Sequence, residues 1–355
     1  MNNQADVLVI GLGPAGAAAA VAAARQGLSV IAIDRRQEIG VPVQCAEFIP
    51  LPLGQYAQSA GVIYQPIRGM KSYLPSGAKV DTAFPGLMID RAAFDQALAQ
   101  QAFDHGASLR LNTRFTGLDR ERKSVQIRTP DGETTIDYQV LIATDGPHSA
   151  VAAALDLPDM EVVSTRQYTV PLTGDYDDTD IWLSADYPGG YAWLFPKGRW
   201  ANLGLGLDKR YADDMKVPLD ALHRQLVAQN LVGEEIVYRT GGAIPVGGLR
   251  AQLVIDNVLF AGDAAGLTHP ITGAGISAAV ISGERAGQAA AAYLQEARLT
   301  AFADFEEDIR DQFEVTLNRA VERRHWLNQY WHTAAAATDE LHRKAWIAFP
   351  DYFAT

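Results

Sequence analysis

Val7-Leu8-Val9-Ile10, an apolar run rich in β-branched residues, passes directly into Gly11-Leu12-Gly13-Pro14-Ala15-Gly16, and an alanine-rich stretch then continues to about Gln26. Gly27 closes that stretch, and Leu28-Ser29-Val30-Ile31-Ala32-Ile33 forms a second apolar run ending at Asp34. The order predicts strand, glycine turn, helix, strand and acid, the arrangement that binds a dinucleotide. Gly11 permits the tight turn, Gly13 lets backbone amides approach a pyrophosphate, and Gly16 lets helix and strand pack closely. Pro14 and Ala15 open a helix whose unpaired N–H groups and partial positive charge suit an anion. Asp34, 18 residues after Gly16, is placed to accept the hydroxyls of an adenosine ribose. Arg35 beside it could meet a 2′-phosphate, but Asp34 would repel that group. The stretch from Ala5 to Ala24 is nearly uncharged and so also resembles a secretory signal. No basic segment precedes it, however, and the glycine turn interrupts it.

One such unit does not use a chain of 355 residues, so a second lobe is expected. A 48% hydrophobic, 20% charged composition fits a folded protein throughout. A net charge of −12 speaks against nucleic acid as a partner and gives an anionic lipid surface no reason to attract the chain. With no transmembrane segment expected, the chain is placed in the cytoplasm, with peripheral membrane contact left open. Its single cysteine, Cys45, excludes an internal disulfide, a CxxC pair and a cysteine-ligated cluster. No group of His, Asp and Glu has metal-ligand spacing, so redox chemistry here requires a bound organic cofactor.

A second strand-to-turn passage lies far downstream. Val258-Leu259-Phe260-Ala261 leads into Gly262-Asp263, and Gly266-Leu267-Thr268-His269-Pro270-Ile271-Thr272-Gly273-Ala274-Gly275-Ile276 leads into an apolar helix reaching about Leu294. Asp263 at a strand end can bind ribityl hydroxyls, and the amides at Gly273, Ala274, Gly275 and Ile276 can face the electron-rich edge of a flavin. LFAGDAAGLTHPITGAGI resembles the second FAD motif of the p-hydroxybenzoate hydroxylase-like flavoproteins. Asp145-Gly146 in ATDGPHSAV resembles that superfamily's middle motif, and Arg91 in MIDRAAFDQAL resembles the start of its RxxFD helix. The resemblance implies FAD as cofactor, with these residues in contact with it.

Two further segments resemble the geranylgeranyl reductase family. Glu38 to Glu47 (EIGVPVQCAE) is similar to its EIGxPxxC segment, and Tyr191 to Pro196 (YAWLFP) is similar to its YxWxFP signature. The resemblance brings Cys45 and Ala46 to the flavin. Read from the residues alone, a period of two puts Tyr191, Trp193 and Phe195 on one face of a strand, as plain core or as an aromatic wall. Gly204 and Gly206 share a face of the next strand and would leave room for a ring. Cys45 is either a small buried apolar residue or an active-site thiol, and His269 either a satisfied turn residue or a proton donor. Cys45, Tyr191, Trp193 and His269 are therefore the candidate catalytic residues.

The expected architecture is α/β: a Rossmann-like, glutathione-reductase-type FAD-binding domain, an inserted antiparallel β-sheet substrate domain, and C-terminal helices. The first is assigned residues 1–60, 86–155 and 250–295, the second 61–85 and 156–249, and the helices 296–355. The expected activity is that of a geranylgeranyl reductase-like, FAD-dependent oxidoreductase acting on a small apolar unsaturated or aromatic substrate. The alternatives are an O₂-dependent monooxygenase hydroxylating an aromatic group, including one on a protein, and a non-enzymatic flavin electron carrier. No second GxGxxG unit is present, which implies that NAD(P)H visits transiently or that a redox partner delivers electrons.

Overall fold

A computed structural model describes residues 3–354. Its helices are α1 (Pro14–Arg25), α2 (Arg91–Asp104), α3 (Ala150–Ala154), α4 (Lys216–Ala228), α5 (Ile276–Gln295), α6 (Ala301–Asn328) and α7 (Asp339–Ala345). Two sheets organise them.

In the first sheet the strands lie in the order Val254–Ile255, Val258–Phe260, Gly132–Ala143, Gln4–Ile10, Val30–Ile33 and Ser108–Arg110. All neighbours are parallel except the first pair, and Val7 sits opposite Val30 and Val140. Strands such as Val7–Ile10 and Val30–Ile33 are apolar on both faces because both faces are covered. A hairpin, Arg114–Asp119 and Ser124–Thr129, extends this sheet from Gly132–Ala143. The helix α1 is buried from Pro14 to Ala24, and only alanine and glycine let it lie this close to its neighbours. A Cβ on Gly283 would stand 2.0 Å from Ala15 O, and one on Gly287 2.5 Å from Ala19 O, so α5 packs on α1 backbone to backbone.

The second sheet runs Tyr238–Thr240, Val162–Pro171, Trp200–Leu207, Ala192–Lys197, Asp178–Trp182, Ile63–Tyr73, Lys79–Ile89 and Phe48–Pro50. It departs from the expected antiparallel sheet at one place, since Asp178–Trp182 pairs parallel with Ile63–Tyr73. The chain passes through the first sheet between those strands, and so long a crossover removes the constraint that a hairpin imposes. Phe48–Pro50 and all of Lys79–Ile89 also belong to this sheet. Ala192 and Leu194 face one way, onto Leu203, Leu205 and the α4 residues Leu219, Leu222 and Leu226. Tyr191, Trp193 and Phe195 face the other. The aromatic C-terminal segment packs down on that same face, with Trp346 and Phe349 buried. No helix among the described residues is long and apolar enough to cross a membrane.

Candidate functional site

The carboxyl ends of the parallel strands gather three chain segments, the position at which open α/β sheets bind ligands. Gly11 follows the first strand with φ at 98°, and a Cβ there would meet Thr144 O at 2.5 Å. At Gly16 a Cβ would lie 1.8 Å from Gly11 O. Around Gly13, by contrast, a Cβ would meet nothing within 4 Å, so packing does not require glycine there. Asp34 is oriented by Leu12 N–H (2.8 Å to Oδ2) and Arg36 N–H (2.8 Å to Oδ1), which leaves each oxygen a free lone pair. Arg35 is exposed.

The two glycine-led helices are alike in lacking a side-chain cap at Gly13 and Gly275. Helices α2 and α3 do have such caps, from Asp90 and Ser149. Uncapped N-termini at a strand edge leave backbone donors for an anion or a ring edge. Gly262 takes φ at 60°, and α1 lies against it, with Ala15 Cβ 2.8 Å from where its own Cβ would be. Asp263 follows, and burial pushes its carboxyl up; Thr268 Oγ1 donates to its Oδ1 at 2.6 Å and Arg91 attracts it. Gly273 turns at φ 68° beside Ile244, and Ala274 O accepts His269 N–H at 3.0 Å. Gly275 and Ile276 then begin α5.

Arg91 is tied by Nε to Asp95 Oδ1 at 2.8 Å, stands beside Cys45 and reaches Asp263 electrostatically. Residues from three distant segments thus meet. Burial pushes the Cys45 thiol up, outweighing the opposite pull of Arg91. Cys45 Sγ accepts Glu47 N–H at 3.2 Å, and its carbonyl accepts Gln167 Nε2–H at 3.1 Å. Gln167 Oε1 in turn accepts Trp193 Nε1–H at 3.1 Å, which locks the indole to the cysteine loop. Tyr191 donates its hydroxyl to Thr272 O, coupling the sheet to the loop that precedes α5.

Some of the residues singled out from the sequence have partners within the protein. His269 Nδ1 accepts the amides of Ile271 and Thr272 at 3.3 Å each, and burial lowers its pKa to about 4. It is neutral at Nδ1 and shapes the turn that precedes Gly273. Asp145 is occupied with the entrance to α3, accepting Ser149 Oγ–H at 2.6 Å and Val151 N–H at 3.1 Å. Gly146 beside it turns at φ 87°. The space over Gly204 holds the protein's own ring, since a Cβ would lie 2.4 Å from Trp193 Cζ2.

Sequence reasoning missed Glu47, Lys197, Asn202 and Gln167. Glu47 is 2% exposed at φ 70°, and its carboxylate takes Lys197 Nζ (2.7 Å), Asn202 Nδ2 (2.8 Å) and the Arg91 amide (2.9 Å). Glu47 lies inside EIGVPVQCAE and Lys197 directly follows YAWLFP, but only the tertiary fold pairs them.

Residues 6–154 match the family model for FAD dependent oxidoreductases, 161–244 that for the geranylgeranyl reductase catalytic domain, and 207–343 that for lycopene cyclase protein. A digeranylgeranylglycerophospholipid reductase of Methanosarcina acetivorans is 35% identical over 309 residues, covering 82% of this chain and 76% of its own. Digeranylgeranylglycerophospholipid reductase 1 of Methanopyrus kandleri is 35% identical over 334 residues, 87% and 88% of the two chains. Among solved structures, a geranylgeranyl bacteriochlorophyll reductase-like protein of Thermoplasma acidophilum superposes with TM-score 0.85 at 26% identity, over 97% of this chain and 96% of that one. A probable FAD-dependent monooxygenase of Pseudomonas aeruginosa shares the fold, with TM-score 0.71 at 20% identity over 94% and 99%.

Proposed function

The chain belongs to the geranylgeranyl reductase family of FAD-dependent oxidoreductases, and from that premise we propose that it saturates carbon–carbon double bonds in a prenyl chain carried by a lipid. The observation that carries this reading is the apolar face formed by Met70, Leu74, Ile181, Leu183, Tyr191 and Trp193 against Ala46 and Ile271. That face borders the cysteine loop and is apolar apart from the Tyr191 hydroxyl, which is given to Thr272 O, and the indole N–H of Trp346 in the same cluster.

The residues fit FAD. Gly13, which packing leaves free, and the uncapped N-terminus of α1 would face the pyrophosphate, and Asp34 the adenosine ribose. Asp263, whose buried carboxyl has a single hydrogen-bond donor named above, would take ribityl hydroxyls, and the start of α5 would face the ring. Bound there and reduced, FAD supplies a hydride equivalent. The protein supplies the rest. Tyr191 and Trp193, held by Thr272 and Gln167, position the chain and exclude water. The Cys45 thiol, kept protonated by burial, holds a proton at Sγ for the second carbon of the double bond. Electrons arrive from NAD(P)H in transit or from a redox protein.

The test is anaerobic incubation of the dithionite-reduced holoenzyme with a digeranylgeranylglycerophospholipid, followed by mass spectrometry. Each double bond should gain two hydrogens, and Cys45→Ala should retain flavin while slowing the reaction at least about a hundredfold. An unchanged lipid, or addition of oxygen in air, would overturn the reading in favour of carrier or monooxygenase chemistry.

A further inference from the structure

The loop that carries Cys45 is held to the substrate sheet one residue after another. Cys45 O accepts Gln167 Nε2–H at 3.1 Å, and Ala46 O accepts Asn202 Nδ2–H at 3.3 Å. The Glu47 carboxylate accepts Lys197 Nζ–H on both oxygens, at 2.9 and 2.7 Å. Asn202 Nδ2 adds a bond of 2.8 Å to the same carboxylate, and the Arg91 amide adds one of 2.9 Å from the first residue of α2. Two strands and a helix converge on this one side chain. A third strand holds the backbone behind it, since Glu47 O accepts Ile89 N–H at 2.9 Å.

Stability alone does not account for the arrangement. Glu47 is buried, and a buried ion pair yields little net stability because desolvation offsets the attraction. Its φ of 70° lies in the left-handed region, which is unfavourable for a residue other than glycine and persists only where surrounding contacts impose it. The effect of that conformation is local. Residue 47 is the joint between the cysteine loop and the strand Phe48–Pro50, and its own amide is turned onto Cys45 Sγ, 3.2 Å away. Charged groups act on the thiol from two elements: Glu47 from its own loop, and Arg91 from α2, the latter tied to Asp95.

We propose that Glu47 is the positioning residue of the Cys45 thiol. Its carboxylate, clamped by Lys197, imposes the left-handed turn that aims Glu47 N–H at Sγ and so fixes where the thiol stands beside the sheet face. For the part the thiol plays in catalysis, the inference rests on the reductase reading above. Lys197 acts on Cys45 through Glu47, by offsetting the carboxylate charge that opposes a thiolate. The two residues therefore have opposite electrical effects on one thiol, although losing either loosens the same loop.

Cys45 is the single cysteine of the chain and is half-exposed, so alkylation of the native FAD-loaded protein by iodoacetamide, followed by mass spectrometry, reports this thiol alone. At pH 8 the rate should rise at least about threefold in Glu47→Gln and fall at least about threefold in Lys197→Met. The double variant, which removes both charges, should lie within about twofold of the wild type. A merely structural role would speed alkylation in both single variants alike, as the loop opens. With the lipid as substrate under dithionite, both single variants should lose at least about tenfold in kcat while KM stays within about twofold, because the thiol is displaced and the apolar face is untouched. Lys197→Gln, neutral but still able to donate to the carboxylate, replaces Lys197→Met if that variant does not fold. Alkylation rates that move the same way in both single variants or do not move, or a KM that rises at unchanged kcat, overturn the proposal. Opposite changes in alkylation in a protein that reduces no lipid support it and refute only the reductase reading.

Discussion

At His269 the local backbone outweighs the chemistry that a histidine in a cofactor loop invites. Two amides point at Nδ1, and a buried cation there would lose water without gaining an anion. The pKa of 6.5 falls to about 4, so the unfolded chain takes up a proton at a higher pH than the folded one. Stability is therefore lost as pH falls from 6.5 towards about 4. For the wild type relative to His269→Asn, whose Oδ1 can accept the same amides, the loss between pH 7 and 5 should be about 2 kcal/mol in chemical denaturation. A difference of zero would show that the imidazole is solvated. The comparison needs the variant because Asp180, pushed up to about 6 mainly by burial, acts oppositely. Its folded form keeps a proton to higher pH than the unfolded chain, so its contribution is present at low pH and is lost as pH rises through about 6.

Among the elements, the seam between α1 and α5 separates glycines needed for packing from those needed for a ligand. Gly283 and Gly16 would put a Cβ onto backbone oxygens at 2.0 and 1.8 Å, where no side chain can yield. Gly13 touches nothing and has an extended backbone that any residue adopts. Gly283→Ala should therefore cost about 3 kcal/mol and lower the melting temperature by several degrees. Gly13→Ala should leave the flavin-free protein within about 1 kcal/mol of the wild type and yet abolish flavin retention. Equal stability losses in the two variants would mean that Gly13 is a packing glycine as well. The spacing of Gly11, Gly13 and Gly16 makes the element legible. The packing partner of α1 is not, because small residues at 283 and 287 carry no address for a helix more than two hundred residues earlier.

Across the whole molecule, α6 joins the second sheet through a buried charge at the end of the interior strand Trp200–Leu207. Arg324 (4% exposed) donates to Asp208 Oδ2 at 3.0 Å and to Gly189 O at 2.7 Å, while the more exposed Arg210 grips the same carboxylate. Breaking the buried arm leaves the buried Asp208 carboxylate with Arg210 alone and the Gly189 carbonyl without its donor, and should cost about 3 kcal/mol in Arg324→Met. Losing the exposed arm in Arg210→Ala should cost about 1 kcal/mol or less, since solvent already screens it. Denaturation of the two variants measures both, and a larger loss at Arg210 would mean that the sheet, not α6, sets the stability of this corner.

By itself the sequence determined the nucleotide-binding units, their order, the alternation that gives the substrate sheet its aromatic face, and the candidate segments around Cys45 and Asp263. Each of these is read from short contiguous segments, where strand periodicity and glycine spacing act directly. Tertiary structure alone decided that Glu47 pairs with Lys197, that Gln167 links Trp193 to Cys45, that His269 is neutral, and that Trp346 closes on Tyr191. Those outcomes depend on which side chains are left together without water once distant strands have docked, and desolvation acts on neighbours in space, for which sequence separation has no meaning.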